Sequence, residues 1–171
     1  YLFDKDKGKE AFIKLAKACR AAGGLSGIAI SDPFCVERHR SDFLSLIKNE
    51  LDYVVGNKEE IMALFETDNF ENALLNASNI SPLVVCTRSS EGVTAIQNGN
   101  RVDFKVKPIN PVDATGAGDQ FAAGFLYGLA KKSDLETACS MGCICAEEVI
   151  GHVGPRPEAR LISKFSEMGL I

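Results

Sequence analysis

The sequence predicts an α/β domain built on a mostly parallel sheet covered on both faces, and three features carry that prediction. Strand-like and helix-like segments alternate along the 171 residues, the pattern of successive βα units. The strand-like segments are short continuous apolar runs, as strands buried on both faces are. The composition, 46% hydrophobic and 25% charged, is that of one globular domain able to bury a core.

The elements follow in order. From about Lys9 to Ala22 the apolar positions Ala11, Phe12, Leu15, Ala16 and Cys19 recur at helical spacing, and Gly23-Gly24 stop the helix. Gly27-Ile-Ala-Ile30 is a buried strand closed by the turn Ser31-Asp32-Pro33. Helical spacing returns from Val36 to Asn49. Asp52-Tyr-Val-Val55 is a second strand, followed by a helix opened by Asn57 and another over Asn69 to Ala77. Pro82-Leu-Val-Val-Cys86 is a third strand. The runs Gly92 to Ile96 and Arg101 to Val106, with Asn98-Gly99-Asn100 between them, read as a hairpin. Three helices close the chain, over Ala117 to Ala130, Leu135 to Ile150 and Pro157 to Met168. No repeat or linker interrupts this order, so one compact unit is expected.

Composition excludes some functions. A formal net charge of -4 with scattered basic residues offers no surface for a nucleic acid. No apolar run approaches the ~18 residues of a membrane span, and no basic-then-apolar leader is present, so a cytoplasmic location is expected. The six cysteines lie within apolar segments of a medium-sized domain and read as free thiols. Cys143 and Cys145 on one helix point apart and make no zinc site. His39 and His152 read as solvated or packing residues. The chain opens at Tyr1, close to a helix pattern, which suggests a piece of a longer protein.

The chemistry concentrates in Asp113-Ala-Thr-Gly116-Ala-Gly118-Asp119. Glycines let backbone amides approach an anion, and the helix start that follows aims those amides at it. Asp119 falls in the first helical turn, where it can accept the proton of an attacking hydroxyl while the helix dipole keeps it ionised. The same spacing also suits a tight turn with a helix cap. Gly124 and Gly128 would let this helix pack tightly on the sheet.

Asp113-Ala-Thr-Gly-Ala-Gly-Asp119-Gln-Phe-Ala-Ala-Gly124 resembles the C-terminal signature of the ribokinase family, the PfkB carbohydrate kinases. The resemblance implies a ribokinase-like three-layer α/β/α fold, of which this chain is the C-terminal portion, and an ATP-dependent kinase. It makes Asp119 the catalytic base and the amides of Gly116, Ala117 and Gly118 the anion hole. Ala114 departs mildly from the family pattern. The family's N-terminal half, with its lid and most acceptor contacts, would lie outside the chain, leaving this portion inactive alone; relatives also pair as homodimers through that lid.

Other motifs line up behind this one. Asn57-Lys-Glu-Glu60 is by spacing a capping box, or a face that orients waters around a cation. The family's Asn-x-x-Glu motif implies that Asn57 and Glu60 organise magnesium through water. Cys86 to Gly92 is by itself a turn after a strand; the resemblance makes Thr87, Ser89 and Gly92 nucleotide contacts, with Ser89 standing where the family usually has glycine. Ser133-Asp-Leu-Glu136 reads as a capping box. The small-residue stripe of Cys139, Gly142 and Cys143 is implied as a wall of the adenine pocket. Ile150-Gly-His-Val-Gly154 resembles the loop that, with Asp113 and Thr115, holds a monovalent cation such as potassium.

The function expected is ATP-dependent phosphorylation of a hydroxymethyl group on a small-molecule sugar or nucleoside. The segments Asp32 to Arg40 and Val149 to Pro157 look most like the bacterial adenosine-kinase-like branch. A fructokinase or ribokinase type of carbohydrate kinase is the alternative, and a nucleotide-binding module without catalysis is the rival from another class.

Overall fold

The computed structural model describes residues 2–171. Its strands are β1 (Gly27–Ala29), β2 (Tyr53–Asn57), β3 (Leu83–Thr87), β4 (Val93–Gln97) and β5 (Asn100–Phe104). Its helices are α1 (Asp6–Ala21), α2 (Pro33–Asn49), α3 (Lys58–Leu64), α4 (Phe70–Ile80), α5 (Ala117–Ala130), α6 (Leu135–Val149) and α7 (Leu161–Glu167). The strands form one mixed sheet in the order β1-β2-β3-β4-β5. β1, β2 and β3 run parallel, with Gly27 opposite Tyr53 and Tyr53 opposite Leu83. Each returns through a helical crossover, as parallel neighbours require. β4 and β5 are joined by Asn98-Gly99, whose φ values of 49° and 82° suit a two-residue hairpin turn.

The chain groups into two compact units rather than the one expected: the segment up to Thr87 with Ile96–Arg101, and Arg88–Ala95 with Val102–Ile171. In the first unit Val54, Val84 and Cys86 are wholly buried among Phe43 and Ile47 of α2, Ile61 and Leu64 of α3, and Leu74 and Ala77 of α4. Each such aliphatic side chain removed from water contributes about 1.5–3 kcal/mol. All four residues Leu83 to Cys86 are buried; since successive side chains point to opposite faces, both faces of β3 are covered. α1 contributes Phe12, Ile13 and Ala16, while Leu15, expected on the same face, is exposed.

Three helix starts and one cap differ from the sequence expectation: α1 begins at Asp6 rather than about Lys9, and α7 at Leu161 rather than Pro157. α2 begins three residues before Val36, because Asp32 accepts from the Phe34 amide at 2.9 Å and Pro33 has the φ a first helical residue needs. α6 is capped by Asp134, which accepts from the Thr137 amide at 2.7 Å, and not by a box from Ser133 to Glu136. The Ser133 amide is taken by the Gly128 carbonyl.

In the second unit α5 and α6 are in close contact. A Cβ on Gly124 would lie 2.5 Å from the Met141 carbonyl oxygen, and one on Gly128 would lie 2.8 Å from Ala138 Cα. Both glycines therefore serve packing against α6, correcting the expectation that they served the sheet. Met141, Ile144, Cys145 and Phe165 form a core here, with Tyr127 stacked on Phe165 at 5.7 Å. Among the described residues no helix is long and apolar enough to cross a membrane.

Candidate active site

The glycine loop lies in the second unit and ends as the start of α5, as predicted. Asp113 shapes it: Oδ1 accepts from the Thr115 amide at 2.9 Å and Oδ2 from the Gly154 amide at 2.9 Å. The Thr115 hydroxyl and amide, followed by the Gly154 amide, bring the Asp113 carboxyl down to about 2, so it is ionised at neutral pH. Gly116 is the N-cap of α5 at φ 80°, a left-handed conformation that a side chain disfavours. A Cβ there would also fall 2.6 Å from Pro155 Cβ. Gln120 Nε2 donates to the Pro155 carbonyl at 3.3 Å. The loop is thus closed by residues about forty positions downstream.

The predicted amide donors are not equivalent. Ala117 N–H is held by the Ala114 carbonyl at 3.2 Å, which tightens the turn. The amides of Gly116, Gly118 and Asp119 have no hydrogen bond among the described residues, as expected at a helix N-terminus without a side-chain cap. The amides left open at the start of α5 are therefore those of Gly116, Gly118 and Asp119, with Ala117 spent within the turn. The Asp119 side chain is exposed in the first turn, with no hydrogen bond or ion pair among the described residues.

In the first unit Asn57 and Glu60 form a complete capping box at the junction of β2 and α3. Asn57 Oδ1 accepts from the Glu60 amide at 2.9 Å. Glu60 Oε2 accepts from the Asn57 amide at 2.9 Å, and Oε1 from Asn57 Nδ2 at 2.8 Å. Gly56 leaves room for this carboxylate, since a Cβ there would stand 3.1 Å from Glu60 Oε2. Glu60 is only 6% exposed, and its burial raises its pKa against the hydrogen bonds from Asn57 and the Ser31 backbone. No cationic side chain among the described residues pairs with it. A buried carboxylate with no cationic partner among the described residues and with spare lone pairs fits a nearby hydrated cation. Among the described residues no cluster of three or more His, Cys, Asp or Glu side chains could hold a metal ion.

Thr87 ends β3 half-buried, and the chain then makes a short 3-10 turn, Ser89–Glu91, fastened by Arg88 N–H to the Gly92 carbonyl at 2.8 Å. Ser89 is exposed at φ 51°, a left-handed conformation that glycine would adopt at less cost. Gly92 is buried at φ 94°, and a Cβ there would overlap the Phe104 carbonyl oxygen at 2.0 Å. Gly92 is thus needed for backbone approach within the hairpin, whatever else the loop does.

In the small-residue stripe of α6 two positions are taken up by packing. Cys139 is wholly buried, and Gly142 lies against Phe121 of α5, where a Cβ would be 2.8 Å from the ring. Both are packing positions; Cys143 alone of the three keeps some exposure. Burial pushes the Cys139 and Cys143 thiols up to about 12, which favours the protonated form of both at neutral pH. Of the histidines, His39 lies tilted against Phe3, with ring centroids 6.2 Å apart, and 2.7 Å from Asp4 Oδ1.

The structure brings Asp113, Thr115, Gly116 and Gly154 together and adds Gln120 and Pro155, which sequence reasoning missed. The proline and glycine density of Gly154-Pro-Arg-Pro157 was the available signal of a fixed loop. Ser31 is the other addition: it has φ 67° and its backbone bonds Glu60. Asp113 also fits a cation, being an ionised carboxylate whose two oxygens each accept from one amide and keep spare lone pairs.

Residues 2–160 match the family model described as pfkB family carbohydrate kinase. The chain belongs to that family. Among curated pfkB relatives, a protein named as an uncharacterized sugar kinase of Archaeoglobus fulgidus is 34% identical over 122 residues, covering 70% of this chain and 48% of that protein. Among solved structures, the adenosine kinase of Sinorhizobium meliloti superposes with a TM-score of 0.94 at 36% identity, over 98% of this chain and 52% of that one. A Rhizobium etli protein titled a probable sugar kinase gives a TM-score of 0.96 at 36% identity, over 100% and 52%. The fold of this pfkB chain is accordingly ribokinase-like. The chain spans about half the length of the curated relatives it matches.

Proposed function

We propose that this chain carries the phosphoryl-transfer apparatus of an ATP-dependent kinase whose acceptor is a hydroxymethyl oxygen of a nucleoside of the adenosine type. The observation that carries the proposal is the start of α5. An exposed carboxylate, Asp119, stands one turn beyond a left-handed Gly116 whose neighbouring amides point unpaired from a helix N-terminus. In the reaction proposed, Asp119 accepts the proton of the attacking hydroxyl as its oxygen bonds the γ-phosphorus. The bond from that phosphorus to the β,γ-bridging oxygen breaks, and ADP leaves. The amides of Gly116, Gly118 and Asp119 stabilise the negative charge on the moving phosphoryl group.

Asn57 and Glu60 would orient the waters of a magnesium ion, which when bound neutralises the phosphate oxygens. Asp113 with Thr115 would serve a monovalent cation, potassium being the simplest. The Thr87, Ser89 and Gly92 turn and the exposed part of Cys143 are the proposed nucleotide contacts. The likeness to the Sinorhizobium adenosine kinase supports a nucleoside acceptor; the Archaeoglobus sugar kinase supports a sugar as the second reading.

The test is ADP formation by the protein as encoded by its gene, offered ATP and magnesium with adenosine, cytidine, ribose and fructose in parallel. Turnover with adenosine above the sugars is expected. Asp119→Asn should lower kcat by about 10²–10⁴-fold, the usual contribution of a positioned base, with KM for ATP little changed. Near-normal turnover by that variant would sink the assignment.

A further inference from the structure

Between α6 and α7 the chain runs from Gly151 to Arg160 without regular structure. The last helix was expected from Pro157 and begins only at Leu161, because Glu148 holds the residues before it out of the helix. Glu148 Oε1 accepts from the Glu158 amide at 3.0 Å and the Ala159 amide at 2.7 Å. Those two bonds hold the segment as a strap that crosses back over the end of α6. Farther along, the strap delivers the Gly154 amide to Asp113 and the Pro155 ring to Gly116. The Val112 amide, bonded to the Ile150 carbonyl at 2.8 Å, fixes its near end.

The Glu148 side chain is only 6% exposed. Burial raises its pKa, but the Ala159 and Glu158 amides and His152 outweigh that and leave it below the ordinary range. It is therefore a buried anion. Its second oxygen, Oε2, has no hydrogen-bond partner among the described residues; the group facing it is His152 Nε2 at 3.6 Å, itself without one among them. A buried carboxylate oxygen left open costs desolvation energy unless a donor reaches it. A shift of a few tenths of an ångström would let His152 be that donor. The imidazole is 17% exposed, with Nδ1 3.4 Å from the Val153 carbonyl oxygen and 3.9 Å from Glu158 Oε1.

We infer that Glu148 and His152 are positioning residues for the phosphoryl-binding loop: together they anchor the Gly151–Arg160 strap, and the strap sets Gly116 and Asp113. The inference rests on the kinase reading only for its catalytic consequence. The pair touches neither Asp119 nor the free amides. Its effect runs through Pro155 against Gly116 and the Gly154 amide against Asp113, both of which fix where the start of α5 presents its N–H groups.

The experiment compares Glu148→Ala, Glu148→Gln and His152→Ala with the parent by amide hydrogen exchange and by steady-state kinetics of ADP formation. In Glu148→Ala, exchange at Gly154, Glu158 and Ala159 should rise by about tenfold or more, the mark of local opening, while amides inside α6 stay protected. kcat should fall by about a hundredfold, as for a displaced catalytic group, with KM for ATP changed much less. Glu148→Gln keeps an acceptor for both amides and should restore exchange protection and most of kcat. His152→Ala should show the same pattern as Glu148→Ala, more weakly. Unchanged exchange at Gly154 in Glu148→Ala overturns the inference. So does loss of protection throughout α6, or failure of Glu148→Gln to restore kcat, since those mark a general packing role. If the parent forms no ADP with any acceptor, the kinase reading fails and the exchange result alone decides the anchor.

Discussion

Replacing Gly116 and Gly118 with alanine, one at a time, separates two glycines that the motif treats alike. At Gly116 the backbone is left-handed, φ 80°, and a non-glycine residue there costs about 1–2 kcal/mol. The new Cβ would lie 2.6 Å from Pro155 Cβ and 3.0 Å from its Cα, inside the ~3.5–4.0 Å of a comfortable carbon contact. Overpacking of that kind costs about 1–3 kcal/mol. Gly116→Ala should therefore destabilise by about 2–5 kcal/mol if the strap holds its place. If the strap yields, the left-handed strain remains and the overpacking is replaced by loss of the Gly154 hydrogen bond to Asp113. At Gly118 nothing lies within 4 Å and φ is not positive. Gly118→Ala, inside the first turn, should leave stability unchanged or raise it by up to about 1 kcal/mol. Its added methyl group should nonetheless hinder a phosphate approaching the amide. The assay is the urea midpoint of each variant together with ADP formation. Equal midpoints for the two variants, or a Gly116→Ala protein within about 0.5 kcal/mol of the parent, would refute the reasoning.

Three further outcomes are expected. Glu60→Gln mimics the protonated form that burial favours; it loses one acceptor for Asn57 Nδ2 and removes a desolvated charge, so stability at pH 7 should change by less than about 1 kcal/mol. The raised pKa means that Glu60 favours the fold below the ordinary carboxylate value and ceases to as pH rises through its own value. Turnover in Glu60→Gln should fall about 10–100-fold with a higher magnesium requirement, as for a residue that orients metal-bound groups; an unchanged magnesium requirement would exclude that role. Asp113 has the opposite sign: held at about 2, its contribution is present above the unfolded value and is lost as pH falls from about 4 through 2. A carbon NMR titration of its carboxyl group should give a midpoint near 2, with protection of the Gly154 amide lost over the same range. Asp119→Asn, beside its kinetic effect, should cost no more than about 0.3–1 kcal/mol of stability, the worth of an anion in a first helical turn; a larger loss would mean that Asp119 has a structural role.

Most of the secondary structure was legible because its causes are local. The span of α5 was read at its observed ends from an apolar run flanked by glycine and lysine. The Asn98-Gly99 turn followed from two residues that tolerate positive φ. Buried parallel strands announce themselves as apolar runs, as Leu83 to Cys86 did. The expected one-unit organisation and the start of the last helix were not legible. The first depends on how packing partners group, and the second on two amides captured by a carboxylate ten residues earlier.

The candidate site divides the same way. By itself the sequence placed a glycine pair at the start of an apolar helix and Asp119 in its first turn, because glycine loops and apolar periodicity are local signals. Tertiary structure alone decided that Ala117 spends its amide on the turn, that Cys139 and Gly142 are packing residues, and that Glu60 is buried without a cationic partner. It also decided that Gly154 and Pro155 close the loop from some forty residues away. Turn chemistry and helix periodicity act between neighbours in the chain, whereas burial and a hydrogen bond across forty residues exist only once the fold has returned the chain upon itself.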